Sequence, residues 1–234
     1  EVMCREDNTE THDIAIVGGG PTGVEMAGAF AELVRGPLSS DYKPAANRIQ
    51  VSIIEAGPHL VPSFSESLSR KTQQDLEKLG VIVRTNTAVK EVLPDSIITT
   101  DGSVISANTT VWAAGVKGVP AMDALHMPIT RGRIDVTSTL QVTGYENIWA
   151  LGDIAGVAGK DGYLLPMVAP VAMQQGRFLA KQIQALSSGK ELSNFSYKDK
   201  GSMATIGRHK AIVEVKGIRI SGAIAWLAWL WLHL

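Results

Sequence analysis

His12-Asp13-Ile14-Ala15-Ile16-Val17-Gly18-Gly19-Gly20-Pro21-Thr22-Gly23-Val24-Glu25 is the stretch that decides the fold. Ile14 to Val17 is a short apolar, β-prone run that stops at three glycines, as a buried parallel strand ending in a tight turn does. From Val24 to Val34 the apolar residues Val24, Ala27, Ala31 and Val34 recur every three or four positions, with Glu25, Glu32 and Arg35 off that stripe. Gly36-Pro37 is expected to end this helix. After a polar loop from Ser39 to Asn47, Ile49 to Glu55 reads as a second strand punctuated by Gly57-Pro58, which completes one strand-helix-strand crossover.

In the first turn Gly18, Gly20 and Gly23 supply a tight bend, a close approach to a pyrophosphate and a close helix-strand contact, all of which side chains would block. The helix N-terminus behind Pro21 and Thr22 faces the phosphates. The turn is therefore expected to be a dinucleotide-phosphate site. Glu55 ends the second strand, where a carboxylate accepts ribose hydroxyls and repels a 2′-phosphate, favouring NADH over NADPH. It lies 32 residues past Gly23, farther than usual, and the Ser39 to Asn47 loop accounts for the difference. The competing reading is an exposed glutamate at a strand end.

Outward from there, Ser63 and Glu66 have capping-box spacing before a helix carrying Leu68, Leu76 and Leu79 and closing at Gly80. A third strand follows at Val81 to Val83. Short β-prone pieces at Val89 to Leu93, Ile97 to Thr100 and Val104 to Ile105 predict an antiparallel meander, and Thr110 to Ala113 returns as a strand before the small residues Ala114 and Gly115. This alternation predicts an α/β fold with a doubly wound parallel sheet. Beyond Gly118-Val119-Pro120 a loop-rich stretch leads to an apolar strand before Gly152-Asp153, and then to a helix from about Pro170 to Leu186. Asp153 either hydrogen-bonds a ribitol hydroxyl or caps a helix. Residues 195–220 alternate as strands do.

Composition narrows the function. The 234 residues carry a net charge of −1, which argues against a nucleic-acid binder, although 198–234 is +4 and the remainder −5. The single cysteine, Cys4, excludes an intrachain disulfide or CxxC pair. The opening EVMCREDNTE is charged and lacks an apolar stretch, so no signal peptide is expected there. His12, His59, His126, His209 and His233 have no companions at metal spacing, so no metal is expected. The closing run with Trp226, Trp229 and Trp231 is shorter than the ~20 residues a membrane span needs. It reads equally as a core helix or as an interfacial element laid on lipid.

Val17-Gly18-Gly19-Gly20-Pro21-Thr22-Gly23-Val24-Glu25, Trp112-Ala113-Ala114-Gly115-Val116, Leu151-Gly152-Asp153 and Ala172-Met173-Gln174-Gln175-Gly176, in this order and spacing, resemble the type II NADH dehydrogenases, which are NADH:quinone oxidoreductases. The resemblance covers nearly the whole chain. It implies a flavoprotein with two dinucleotide-binding domains, a Rossmann-like NADH domain inserted in an FAD domain. On that pattern 11–116 is the NADH domain, 117–190 the C-terminal part of the FAD domain, and 191–234 the start of a quinone- and membrane-associated region. The family opens with a first GxGxxG for the FAD pyrophosphate. This chain has one such turn, so the N-terminal part of the flavin site is expected to be missing and FAD retention by the chain to be weak.

The resemblance further implies cofactors NADH and FAD. Ala114, Gly115, Gly152 and Asp153 join Gly18, Gly20, Pro21, Thr22, Gly23 and Glu55 in holding them, as do Ala169, Pro170 and Val171, the backbone amides near them facing the flavin pyrimidine. Glu25 lies near the nicotinamide on a proton route. Its helical position has a plainer explanation in the helix dipole. Gln174, Lys200 and Met203 line the quinone pocket. Individually, a solvated glutamine, a surface lysine and a core methionine are the competing readings. The family helix begins Ala-Gln where this chain has Ala169-Pro170, so that glutamine's quinone contact does not carry over. Pro170 suits a first helical turn.

The expected partners are a quinone and a membrane surface, with no nucleic acid. The resemblance allows a homodimer. The expected location is peripheral, on the cytoplasmic face of a bacterial inner membrane or on an organelle membrane. Two other functions compete: a soluble NAD(P)H-dependent flavoprotein reductase of a protein acceptor, and a non-catalytic NADH-binding module.

Overall fold

In the computed structural model, residues 11–116, 118, 124–159 and 162–233 are described. Cys4, the charged opening segment, Val119 and Pro120 lie outside them. The chain forms two units, one combining the part up to Gly115 with the part from Gly201 onward, the other running from Val116 to Lys200.

The first unit is built on a four-stranded parallel sheet in the order β3-β2-β1-β7. β1 is His12–Val17, β2 Ile49–Ile54, β3 Ile82–Arg84 and β7 Thr109–Trp112. β1 pairs with β2 from His12↔Ile49 to Val17↔Ile54 and with β7 from Ile14↔Thr109 to Val17↔Trp112. The run in β1 is apolar at every position from Ile14 because both faces are covered. Ile14 and Ile16 pack with Val24, Ala27, Ala31, Leu68 and Leu76, while Ala15 and Val17 pack with Ile54, Ile97 and Ala107. The second face is roofed by the expected antiparallel meander, β4 (Val89–Val92), β5 (Ser96–Thr99) and β6 (Val104–Ser106).

α1 spans Pro21–Leu33 and buries Gly23, Val24, Ala27, Gly28 and Ala31. It starts three residues before the first stripe residue because Pro21 presets helical φ and needs no N–H in the first turn. Gly36-Pro37 does not end the winding as expected. The chain widens into a π turn at Val34–Leu38, with Pro37 inside, and continues through short turns α2 (Ser39–Asp41) and α3 (Lys43–Ala46). A wider turn accommodates a ring that offers no N–H to the helical ladder. The expected polar loop is thus mostly helical. The expected Ser63–Glu66 box is also corrected: α4 is Glu66–Lys78 with Ser65 at its N-cap. Glu66 pairs with Arg70 at 2.9 Å, and the Ser65 N–H donates to Glu214 Oε2 at 2.7 Å.

The second unit holds β8 (Ile129–Thr130), β9 (Arg133–Asp135) and β10 (Ala155–Gly156) in the order β10-β9-β8, followed by α5 (Ala169–Ser187). Its core is Ile134, Leu140, Val142, Ala150, Ala155, Val157, Leu165 and Val171. The expected apolar strand before Gly152 is not a strand. Ala150 N–H donates to Leu140 O and Val142 N–H to Ile148 O, so this run is paired to an irregular loop with a single bridge, Gln141↔Trp149. Gly152–Ile154 then forms one 3-10 turn.

Of residues 195–220, the part before Ser202 has no regular structure. The rest forms the antiparallel strands β11 (Ser202–Gly207), β12 (Lys210–Val215) and β13 (Ile218–Gly222). Ala204, Ile206 and Ile212 join the core beneath α1, and Ala211 and Val213 pack with Ala225 of α6 (Ala223–His233). Among the described residues, no helix is long and apolar enough to cross a membrane.

Candidate functional site

The carboxyl ends of β1, β2 and β7 open onto a cleft of about 570 Å³ in the first unit. Seven residues singled out from sequence line it together: Gly18, Gly20, Pro21, Thr22, Glu55, Ala114 and Gly115. Gly23 stands just behind. A Cβ there would sit 1.8 Å from Gly18 O, and one at Gly18, where φ is +112°, would sit 2.5 Å from Ala113 O. These two positions admit only glycine, because the turn folds back on its own helix and passes against the strand beside it. A Cβ on Gly20 would meet nothing within 4 Å, so this glycine faces the open cleft. The first helical bond of α1 runs from Val24 N–H to Gly20 O, which leaves the Thr22 and Gly23 amides at the positive helix end without intrahelical partners.

Glu55 is more than a strand-end carboxylate. Its Oε2 accepts the Gly19 N–H and its Oε1 the Gly57 N–H, both at 2.6 Å. Gly19 O in turn accepts the N–H of the fully buried Val61 at 2.7 Å. Both sides of the Gly19 peptide are therefore held. Each carboxylate oxygen keeps a second lone pair for a ligand hydroxyl. Ala56, Thr87, Ala88, Val89 and Trp112 also line the cleft and were missed in the sequence. The Thr87 N–H donates to Glu55 O at 2.9 Å, which brings Thr87 to Val89 there, and only Trp112 carried a signal, in the run Trp112 to Val116.

Glu25 does not line the cleft. Its Oε1 accepts from the Thr205 N–H at 3.2 Å and hydroxyl at 3.3 Å, which ties α1 to β11. Met203 lies on β11 beside Ala211, Val213 and Trp226.

In the second unit, Gly152 adopts φ +76° and donates its N–H to Gln175 Oε1 at 2.6 Å. Asp153 is exposed. Gln175 is fully buried and its Nε2 has no partner, and the same holds for Nε and Nη2 of Arg133, which is 4% exposed. Arg133 Nη1 donates to Leu165 O at 2.7 Å, and burial pulls the guanidinium below its ordinary pKa against the opposing effect of Asp153. Unpartnered donors thus flank the Gly152-Asp153 turn. Gln175 and Arg133 were not singled out as site residues, although Gln175 shares the buried face of α5 with Val171, four residues earlier. Ala169 and Pro170 open α5 as expected.

Gln174 makes a two-point contact with the Lys198 backbone, accepting its N–H and donating to its O, each at 3.0 Å. Its amide is thus engaged within the unit. Lys200 is exposed in the irregular segment before Gly201. Burial, followed by the charge of Asp199, raises the Tyr197 phenol above its ordinary value. Among the described residues, no group of three His, Cys, Asp or Glu is placed to hold a metal.

A parallel sheet with a glycine turn at the end of its first crossover strand, an acidic residue ending the next, and a cleft over the carboxyl edge defines a dinucleotide-binding protein of the Rossmann class. More particularly, residues 4–176 match the pyridine nucleotide-disulphide oxidoreductase model, and the chain belongs to that family. It is similar to the type II NADH:quinone oxidoreductase Ndh of Mycobacterium tuberculosis, with 36% identity over 232 residues, 94% of this chain and 49% of that protein. It is also similar to the internal alternative NAD(P)H-ubiquinone oxidoreductase A1, mitochondrial, of Solanum tuberosum, with 34% identity over 97% of this chain and 49% of that protein. The chain spans about half the length of these curated relatives. In fold it resembles NDH2 of Plasmodium falciparum, solved in complex with NADH, with a TM-score of 0.85, 22% identity, and coverage of 96% of this chain and 62% of that one.

Proposed function

We propose that this chain supplies the NADH site and part of the flavin site of a type II NADH:quinone oxidoreductase, which passes hydride from NADH to FAD and then electrons to a membrane quinone. The observation that carries the reading is the convergence of Gly18, Gly20, Thr22, Glu55, Ala114 and Gly115 on one cleft at the carboxyl edge of the sheet. The helix end and its amides favour the pyrophosphate, and Gly20 leaves the approach clear. Glu55, held by two backbone amides, presents its remaining lone pairs to the adenosine ribose and its charge against a 2′-phosphate.

In the second unit, Asp153 is the candidate for a ribitol hydroxyl, while Ala169, Pro170 and Val171 open the helix whose amides would face the flavin. The unpartnered donors of Arg133 and Gln175 suit a neighbourhood completed by an acceptor-rich group. A bound flavin would supply the two-electron chemistry, and these residues would orient it. Glu25, tied to Thr205, and Gln174, Lys200 and Met203 are proposed for the proton route and the quinone pocket. The half-exposed apolar α6, with Ile224, Leu227 and Trp231 outward, fits peripheral attachment to the cytoplasmic face of a membrane.

The nucleotide reading is tested by calorimetric titration with NADH and NADPH. Saturable NADH binding with weaker NADPH binding is expected, and Glu55→Arg should reverse the preference. Equal affinities, or a Glu55→Arg variant that keeps NADH selectivity, would overturn the assignment.

A further inference from the structure

The sheet order β3-β2-β1-β7 gives the cleft a direction. Glu55 follows β2, and the glycine turn follows β1. A dinucleotide with its adenosine ribose at Glu55 and its pyrophosphate at Gly18 to Gly23 therefore carries its other nucleoside onward, over the end of β7. What waits there is Trp112, the last residue of that strand.

Trp112 is paired in register with Val17, and neighbours in a parallel pair project to the same face, so the indole stands on the meander side of the cleft. It lines the cleft yet is 58% exposed, and among the described lining residues it alone is aromatic. Ala113, Ala114 and Gly115 follow, and a Cβ placed on Gly115 would meet nothing within 4 Å. The strand thus ends in one large flat side chain beside residues that leave space.

We infer that Trp112 is a contact residue for the nicotinamide half of the dinucleotide, its indole stacking on the pyridine ring while Ala114 and Gly115 leave room for the ring and its ribose. The inference rests on the NADH site proposed above. A tryptophan half in water at the mouth of a cleft loses apolar exposure when a flat heterocycle covers it, and stacking prefers an offset or edge arrangement that a partly exposed ring is free to adopt.

The test compares NADH with ADP-ribose, which keeps the adenosine and pyrophosphate but lacks the nicotinamide. The full chain and its Trp112→Ala and Trp112→Phe variants are titrated with both by calorimetry. Trp112→Ala should bind NADH about tenfold more weakly and ADP-ribose within about twofold of the unmodified chain. Trp112→Phe, which keeps a flat ring, should retain most of the NADH affinity. Equal weakening of both ligands, unchanged NADH affinity in Trp112→Ala, or a loss in Trp112→Phe as large as in Trp112→Ala overturns the assignment. Failure of the unmodified chain to bind either ligand would refute the NADH site itself.

Discussion

Replacing Glu55 by glutamine changes one atom in the side chain and separates the two roles of that residue. The carboxylate accepts two backbone N–H groups at 2.6 Å, from Gly19 and Gly57. Glutamine keeps one acceptor oxygen and turns an N–H donor toward the other amide. One charge-assisted bond is lost, about 1.5–3 kcal/mol, and a half-buried amide is left facing another donor. The site is partly open to water, so a net loss of about 2 kcal/mol is expected, a large part of a domain stability of roughly 5–15 kcal/mol. Urea unfolding followed by far-ultraviolet circular dichroism reads the loss as a lower midpoint with an unchanged slope. The same variant should lose discrimination against NADPH, because it removes the charge proposed to repel the 2′-phosphate. A midpoint shift worth less than about 0.5 kcal/mol would refute the reasoning about the clamp, since that is the range of ordinary surface substitutions.

Three further outcomes follow from the geometry. Gly23→Ala should destabilise the first unit by at least about 2 kcal/mol and abolish NADH binding, because the new Cβ would lie 1.8 Å from Gly18 O; thermal unfolding and calorimetry report both. Gln175→Leu leaves the Gly152 N–H without its acceptor and should cost about 1–3 kcal/mol in thermal unfolding, partly offset by removal of an unpartnered Nε2. The Ser65 N–H, followed by its other partners, holds the Glu214 carboxyl below its ordinary pKa. A depressed carboxylate adds stability that is present above its unfolded value, about 4.3, and is lost as pH falls through the lower folded value. Stability measured from pH 6 down to 3 should therefore fall less steeply in Glu214→Gln than in the unmodified chain.

The nucleotide unit was legible because its signals are local and periodic. β1 is apolar at consecutive positions, α1 repeats every three or four, and the turn between them needs glycine for steric reasons that spacing reveals. What spacing does not reveal is which distant faces meet. Of residues 195–220, expected to be strands, only the part from Ser202 onward forms them, and nothing in their alternation says that Thr205 holds Glu25 or that Glu214 holds Ser65. The run from Ile148 to Leu151 looked like a strand because apolar content does not distinguish a loop paired to a loop from a sheet strand. Gln174 and Gln175 stand side by side, and only the fold separates the one that braces the Gly152 turn from the one bonded to the Lys198 backbone.

A crystal of the chain grown with NADH would show where the pyrophosphate sits. Density is expected over Gly18 to Gly23, with phosphate oxygens within hydrogen-bond distance of the Thr22 and Gly23 amides and the adenosine ribose on Glu55. Dinucleotide density anywhere else on the chain, or the ribose turned away from Glu55, would contradict the proposed site.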